Sequence, residues 1–224
     1  MSKKLSLIIT LVPFTIMGIY QVLRFNSNPP DLNKKDLGLF LFFLAKQEGI
    51  LDTLQFPIYL MISVIFFSIL KRSSGLEKIM YLLCITVVLF VAAEEISWGQ
   101  NYLYFDNLDF FDENNLQAET NVHNLGYFQH LTHLLYIVVG IIFSLGDIFR
   151  KFKKIHPITK NIIPGWKYMG YNLPLAIFYY LFITIENKDS LLANITQEYF
   201  EFMFSLGFLI FMLERWRVSK SNAT

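Results

Sequence analysis

Two adjacent carboxylates close an apolar run in Ala92-Ala93-Glu94-Glu95-Ile96-Ser97-Trp98-Gly99-Gln100. Neighbouring helical side chains point about 100° apart, so one of the pair can face a bundle interior while the other faces an interface or a second helix. Carboxylates near membrane depth are costly unless paired or metal-bound, and one would suffice to end a helix. Glu94 and Glu95 therefore read as candidate catalytic acids or bases. Trp98 is an interfacial anchor on the bland reading, and with Gln100 a substrate contact on the functional one.

The stretch 99–130 that follows contains no Lys or Arg, yet it holds Gln117, Glu119, Asn121, His123, Asn124, Gln129 and His130. A helix beginning near Asn121 would place His123, Gly126, His130 and His133 within an arc of about 80°. Neutral imidazoles and a carboxylate suit zinc, iron or manganese, so His123, His130 and His133 with Glu95 form a candidate set for a divalent metal. In that scheme the metal activates water while Glu94 or Glu119 carries the proton. Gln117, Asn121 and Asn124 are candidate substrate contacts. Glu48 and Asp52, four residues apart in Lys46-Gln47-Glu48-Gly49-Ile50-Leu51-Asp52, share a helical face and enter the same layer. There Glu48 is a further acid/base candidate.

These residues need elements to hold them in register. Of 224 residues, 54% are hydrophobic, including 23 Phe and 12 Tyr, and the mean hydropathy is +0.42. The apolar positions come in blocks long enough to cross a hydrocarbon core of roughly 30 Å as helices. The alternation of a membrane barrel is not present. Spans are predicted at 5–24, 53–70, 78–97, 131–149, 171–186 and 200–216. The first is read as a retained anchor: it is longer than a signal-peptide core, and Asn26-Ser27-Asn28-Pro29-Pro30 follows it without a cleavage signature. The prediction is all-α: one polytopic transmembrane helical bundle over 1–224, about six spans, with an interfacial outer loop at 99–130.

Charge sidedness supports that count. With six spans, Lys3, Lys4, Lys71, Arg72, Lys78, Arg150, Lys151, Lys153, Lys154, Lys160, Lys167, Arg215, Arg217 and Lys220 fall on one side, 14 of the 19 basic residues. The positive-inside rule then makes both termini cytoplasmic. All but Glu77, Asp147 and Glu214 of the 18 acidic residues lie towards the other side, among them Glu186, Glu198 and Glu201 as weaker candidates. A net charge of +1 argues against nucleic-acid binding. Cys84 is the single cysteine, which excludes an internal disulfide and a thiolate cluster.

Three motifs resemble a family of uncharacterised bacterial polytopic membrane proteins. That family carries E-x-G-x-x-[ED] before one span, E-E-[IL]-S-W-G-Q after the next, and N-x-Q-x-E-T-N-x-H-N in the following loop. The corresponding residues here are Glu48 to Asp52, Glu94 to Gln100, and Asn115 to Asn124. The resemblance implies that Glu48, Glu94, Glu95, Gln117, Glu119, Asn121, His123 and Asn124 belong together; it carries no activity. Looser likenesses exist to CAAX-type intramembrane proteases, whose E-E-x-x-x-R element this chain breaks at Gly99, and to alkaline-ceramidase-like hydrolases, whose H-x-x-x-H element it lacks.

The functional expectation is a multi-pass protein of the cell membrane, a bacterial inner membrane, in contact with membrane lipids. It would act as a metal-dependent hydrolase or transferase on a lipid or lipid-linked substrate at the outer face. The rival is a transporter, ion pathway or membrane subunit whose outer acids bind a cation or a partner protein. A purely structural bundle is the third reading.

Overall fold

The computed structural model describes residues 8–9, 11–13, 15, 50–103, 105–107, 109–115, 120–151, 158–184 and 191–221. These residues are helical, joined by turns, with one isolated bridge between Asn115 and Leu125 and no strand among them. The long helices are α1 (Ile50–Leu70), α2 (Gly75–Glu94), α5 (Gly126–Ser144), α8 (Met169–Thr184) and α9 (Leu191–Ser221). Between them lie the short helices α3 (Gln100–Leu103), α4 (Asp109–Asn114), α6 (Gly146–Phe149) and α7 (Thr159–Ile162).

Two helices, α1 and α2, are long and apolar enough to cross a membrane, with mean hydropathies of 2.0 and 2.1; Phe128–Ser144 is a shorter apolar stretch. Each of the five predicted spans from 53 onward coincides with a long helix, while 5–24 falls largely outside the described residues. Most boundaries are shifted by a few residues from the prediction, and three of the shifts bear on the site. The helix expected to run to 97 stops at Glu94, because Ser97, Trp98 and Gly99 take left-handed backbone at φ 45°, 55° and 87°. The fourth begins at Gly126, since Leu125 before it is extended at φ −64°, ψ 126°. The last starts at Leu191, which puts Glu198 and Glu201 inside the helix rather than beside it.

The long helices pack as an open series: α2 on α1, α1 on α9, α9 on α8, and α8 on α5. The two ends of the series, α2 and α5, make no more than marginal contact with each other. Tyr59, Ile62 and Phe66 of α1 interlock with Tyr81 and Val88 of α2 and with Met203, Phe208 and Met212 of α9. A second cluster joins Leu175 and Tyr179 of α8 to Phe200 and Phe204 of α9, with Tyr136 and Phe143 of α5 against it. Gly140 lets α5 approach α8 closely; a Cβ there would lie 2.8 Å from the Asn172 carbonyl oxygen and 2.9 Å from Ala176 Cβ. Such small-residue contacts are how helices approach where lipid removes the usual hydrophobic drive.

Polar ties close the end of the bundle opposite Glu94. Arg72 Nη1 donates to the Ser219 carbonyl at 3.2 Å, and Trp216 Nε1 donates to Ser68 Oγ at 3.0 Å. Lys167 Nζ donates to Glu214 at 2.6 Å, and the Tyr168 hydroxyl donates to the same carboxylate oxygen. Burial first, and then the Glu214 carboxylate, push the Tyr168 phenol far above its ordinary range. Asp147 accepts from Arg150 at 2.5 Å and from the Trp166 backbone N–H at 2.8 Å. Arg72, Arg150 and Lys167 are thus engaged with carboxylates and carbonyls of their own layer.

Candidate functional site

Glu94 is the last residue of α2 and is 5% exposed. Its Oε1 accepts from Trp98 Nε1 at 2.6 Å. Its Oε2 accepts from the backbone N–H of Val122 at 2.8 Å and of His123 at 2.9 Å, with His123 Nδ1 at 3.0 Å. An ionised carboxylate only accepts, so this contact sets the proton on Nδ1 of His123. Charge-assisted bonds of this kind are roughly twice as strong as neutral ones, and here three converge on one oxygen.

The neighbouring motif residues extend the same knot. Asn115 Nδ2 donates to the Asn121 carbonyl at 2.9 Å and to Asn121 Oδ1 at 3.0 Å. Asn121 Nδ2 donates in turn to Ser97 Oγ at 3.3 Å, and Gln100 Oε1 accepts from the Thr120 N–H at 2.7 Å. The left-handed residues at Ser97 and Trp98, each costing of order 1 kcal/mol, are held by these bonds. They turn the chain after Glu94 so that Gln100 and the loop back to Leu125 can close. Asn121, Asn124 and Ser97 are buried, while the Trp98 ring is exposed and sits edge-on to Phe90 at 5.7 Å.

Glu95, one residue on, belongs to a different set. It lies near Asp52 of α1 and Glu201 of α9, close enough for their charges to interact. Glu198, one turn before Glu201 on α9, lies close enough to Asp52 for the two carboxyl groups to interact. The Tyr179 hydroxyl donates to Glu201 Oε1, and the Tyr179 ring stacks on Tyr136 at 4.8 Å and 7°. Glu95, Asp52, Glu198 and Glu201 thus form one carboxylate layer drawn from three helices.

That layer is the polar end of a cavity of 740 Å³. Glu94, Asn121, His123 and Asn124 line the same end, and the cavity continues between α2 and α5 past Cys84, Val87, Leu135 and Val139 to Phe143 and Phe208. Its shape follows from the open helix series, because the gap lies where the first and last helices fail to meet.

The sequence candidates divide accordingly. Glu94, Trp98, Gln100, Asn121 and His123 are brought together, chiefly as a loop-holding network; Asn124 is buried beside them. Glu95 and Asp52 come together with Glu198 and Glu201, which spacing alone ranked low. The signal was present in Glu198 and Glu201, three apart on one helical face with no Lys or Arg nearby. His123 precedes α5, while His130 and His133 lie three apart on that helix with ring centroids 6.4 Å apart. His133 is buried, its ring against Tyr179 at 4.8 Å and Phe182 at 5.2 Å, while His130 is exposed. Among the described residues no three His, Cys, Asp or Glu side chains are arranged to hold a metal ion. Glu48, Gln117 and Glu119 lie outside the described residues.

No family model, curated protein or solved structure matches this chain. The geometry alone therefore carries the functional argument.

Proposed function

We propose that this chain is a multi-pass membrane protein of about six spans, termini cytoplasmic, whose cavity is the active site of a hydrolase or transferase acting on a lipid or lipid-linked substrate. The carrying observation is the cavity itself: carboxylates at one end, an apolar shaft behind them, and an opening between α2 and α5. Exposed Val64 and Phe67 on α1, Ile79 and Val87 on α2, and Leu134 and Val138 on α5 support a lipid surround. The segregation of basic residues supports a cell-membrane protein with the carboxylate layer at the outer face, as in a bacterial inner membrane.

In this reading Glu95 or Glu201 takes a proton from the attacking water or acceptor hydroxyl. Asp52 or Glu198, facing each other in the same layer, delivers a proton to the leaving group. Glu94 does not turn over; it positions His123 and the loop. Carboxylates carry the reaction in this form because Asp52, Glu95, Glu198 and Glu201 gather at one end of the cavity. A divalent zinc, iron or manganese ion, with His123, His130, His133 and Glu95 as its ligands, remains the second form of the proposal.

The test is turnover of a total membrane-lipid extract by protein in nanodiscs, read by mass spectrometry. Consumption of a lipid class that ceases in Glu95→Gln and Glu201→Gln is the expected result. An unchanged lipid profile, together with cation flux in proteoliposomes that Glu201→Gln abolishes, would establish the ion-pathway alternative, which the close packing of four acids favours.

A further inference from the structure

The proposed reading leaves the chemistry of the substrate's polar end open, and the cavity lining bears on it directly. Asp52, Glu94, Glu95, Glu198 and Glu201 all line the cavity, and among the described residues no Lys or Arg does. Phosphate-bearing head groups are normally met by Arg, Lys or clustered backbone N–H donors. Here the two loop N–H groups nearest the layer, those of Val122 and His123, already donate to Glu94. At the opposite end Lys167 is engaged with Glu214 and Arg150 with Asp147.

Aromatic faces complete the layer. Tyr59, Tyr136 and Tyr179 line the cavity beside the carboxylates. All three rings feel the charge of Glu201. Carboxylates together with tyrosine faces in a partly desolvated pocket are the setting in which ammonium groups are recognised. The rest of the cavity is a shaft for hydrocarbon. Its 740 Å³ falls within the roughly 300–1,000 Å³ of single-ligand pockets, room for one chain and a small head. Leu83, Val87, Leu131 and Leu135, on the facing sides of the opening, are exposed, so a chain can enter laterally between α2 and α5.

Resting on the amphiphile reading above, we infer that the ligand carries a cationic amine head, seated among Asp52, Glu95, Glu198 and Glu201, with its chain along the α2–α5 shaft. An anionic or phosphorylated head is disfavoured by the same charges. Full-length protein in zwitterionic nanodiscs provides the test, with radiolabelled hexadecylamine as the probe and hexadecyl phosphate and N-acetylhexadecylamine as competitors.

Saturable binding of about one amine per chain is expected, with each competitor at least tenfold weaker. Glu95→Gln and Glu201→Gln should each weaken the amine at least fivefold. Leu135→Trp, which narrows the shaft without touching the acids, should shorten the longest chain accepted while preserving the preference for amine. Hexadecyl phosphate competing as well as the amine would overturn the cationic head and leave the amphiphile reading standing. Absence of saturable binding by any of the three, with lipid turnover also absent, would overturn both.

Discussion

Glu94 holds His123 twice, accepting from its backbone N–H at 2.9 Å and lying 3.0 Å from its ring Nδ1, so that the end of α2 and the entry to α5 are fastened by one carboxylate. Its neighbour Glu95 faces Asp52 and Glu201 across the cavity instead. The tandem acids therefore occupy separate settings, one holding a loop and one within the carboxylate layer.

That division is measurable through stability. In Glu94→Gln an amide N–H must confront either Trp98 Nε1 or the Val122 and His123 donors, and charge-assisted bonds are lost. A destabilisation of about 2–4 kcal/mol is expected. Thermal unfolding in detergent reads it, and limited proteolysis between residues 104 and 119 should accelerate. Equal protease resistance in the variant and wild type would refute the loop-holding role.

Glu95→Gln and Glu201→Gln should behave in the opposite way. Each removes a like charge from the four-acid layer, so stability should be unchanged or higher by about 1 kcal/mol while turnover of the lipid substrate falls at least a hundredfold. A variant that loses its fold along with its activity would count against a catalytic assignment and for a structural one.

The α5–α8 contact makes a third prediction. Gly140→Leu forces a side chain against the Asn172 carbonyl and Ala176, where the added Cβ alone would approach within 3 Å. Overpacking of about 1–3 kcal/mol should follow. Because α5 forms one wall of the cavity, amphiphile binding should fall with it, whereas Gly126→Ala, with open space around its Cβ, should leave both unaffected. Comparable losses in the two variants would indicate that close approach at Gly140 is not what positions α5.

Sidedness can be checked without any activity. Reporter fusions at Asn107 and Lys153 should report opposite faces, Asn107 outside and Lys153 in the cytoplasm. Both reporters on one face would remove a span from the proposed six.

Metal content separates the two forms of the mechanism. The carboxylate form expects chelator-treated protein to retain turnover. Stoichiometric zinc, iron or manganese in the purified protein, lost in His130→Ala and His133→Ala, would return those residues to a ligand role.

Much of this architecture was legible in the chain. Block hydropathy located the helices, because an apolar run long enough to span bilayer thickness has few other stable forms, and the segregation of Lys and Arg underlies the sidedness proposed above. Among the described motif residues, Glu94, Ser97, Trp98, Gln100, Asn115, Thr120, Asn121 and His123 form one network. Helix ends were less legible. The stop after Glu94 depends on left-handed backbone at Ser97 and Trp98, which bonds from Glu94 and Asn121 stabilise, and no local propensity announces it.

Only the tertiary structure decided which of two adjacent glutamates holds the loop and which joins the carboxylate layer, and only it brought Glu198 and Glu201 to Asp52. Periodicity is a local property that fixes directions around one helix axis, but the partner each direction meets depends on how α1, α2 and α9 pack. The 146 residues that separate Asp52 from Glu198 are closed by α1 lying on α9, a contact made by side chains such as Ile62, Phe66, Phe208 and Met212 rather than by the acids themselves. The sequence by itself determined helices and a polar loop; the packing of α1 against α9, and the failure of α2 to meet α5, made a cavity between them.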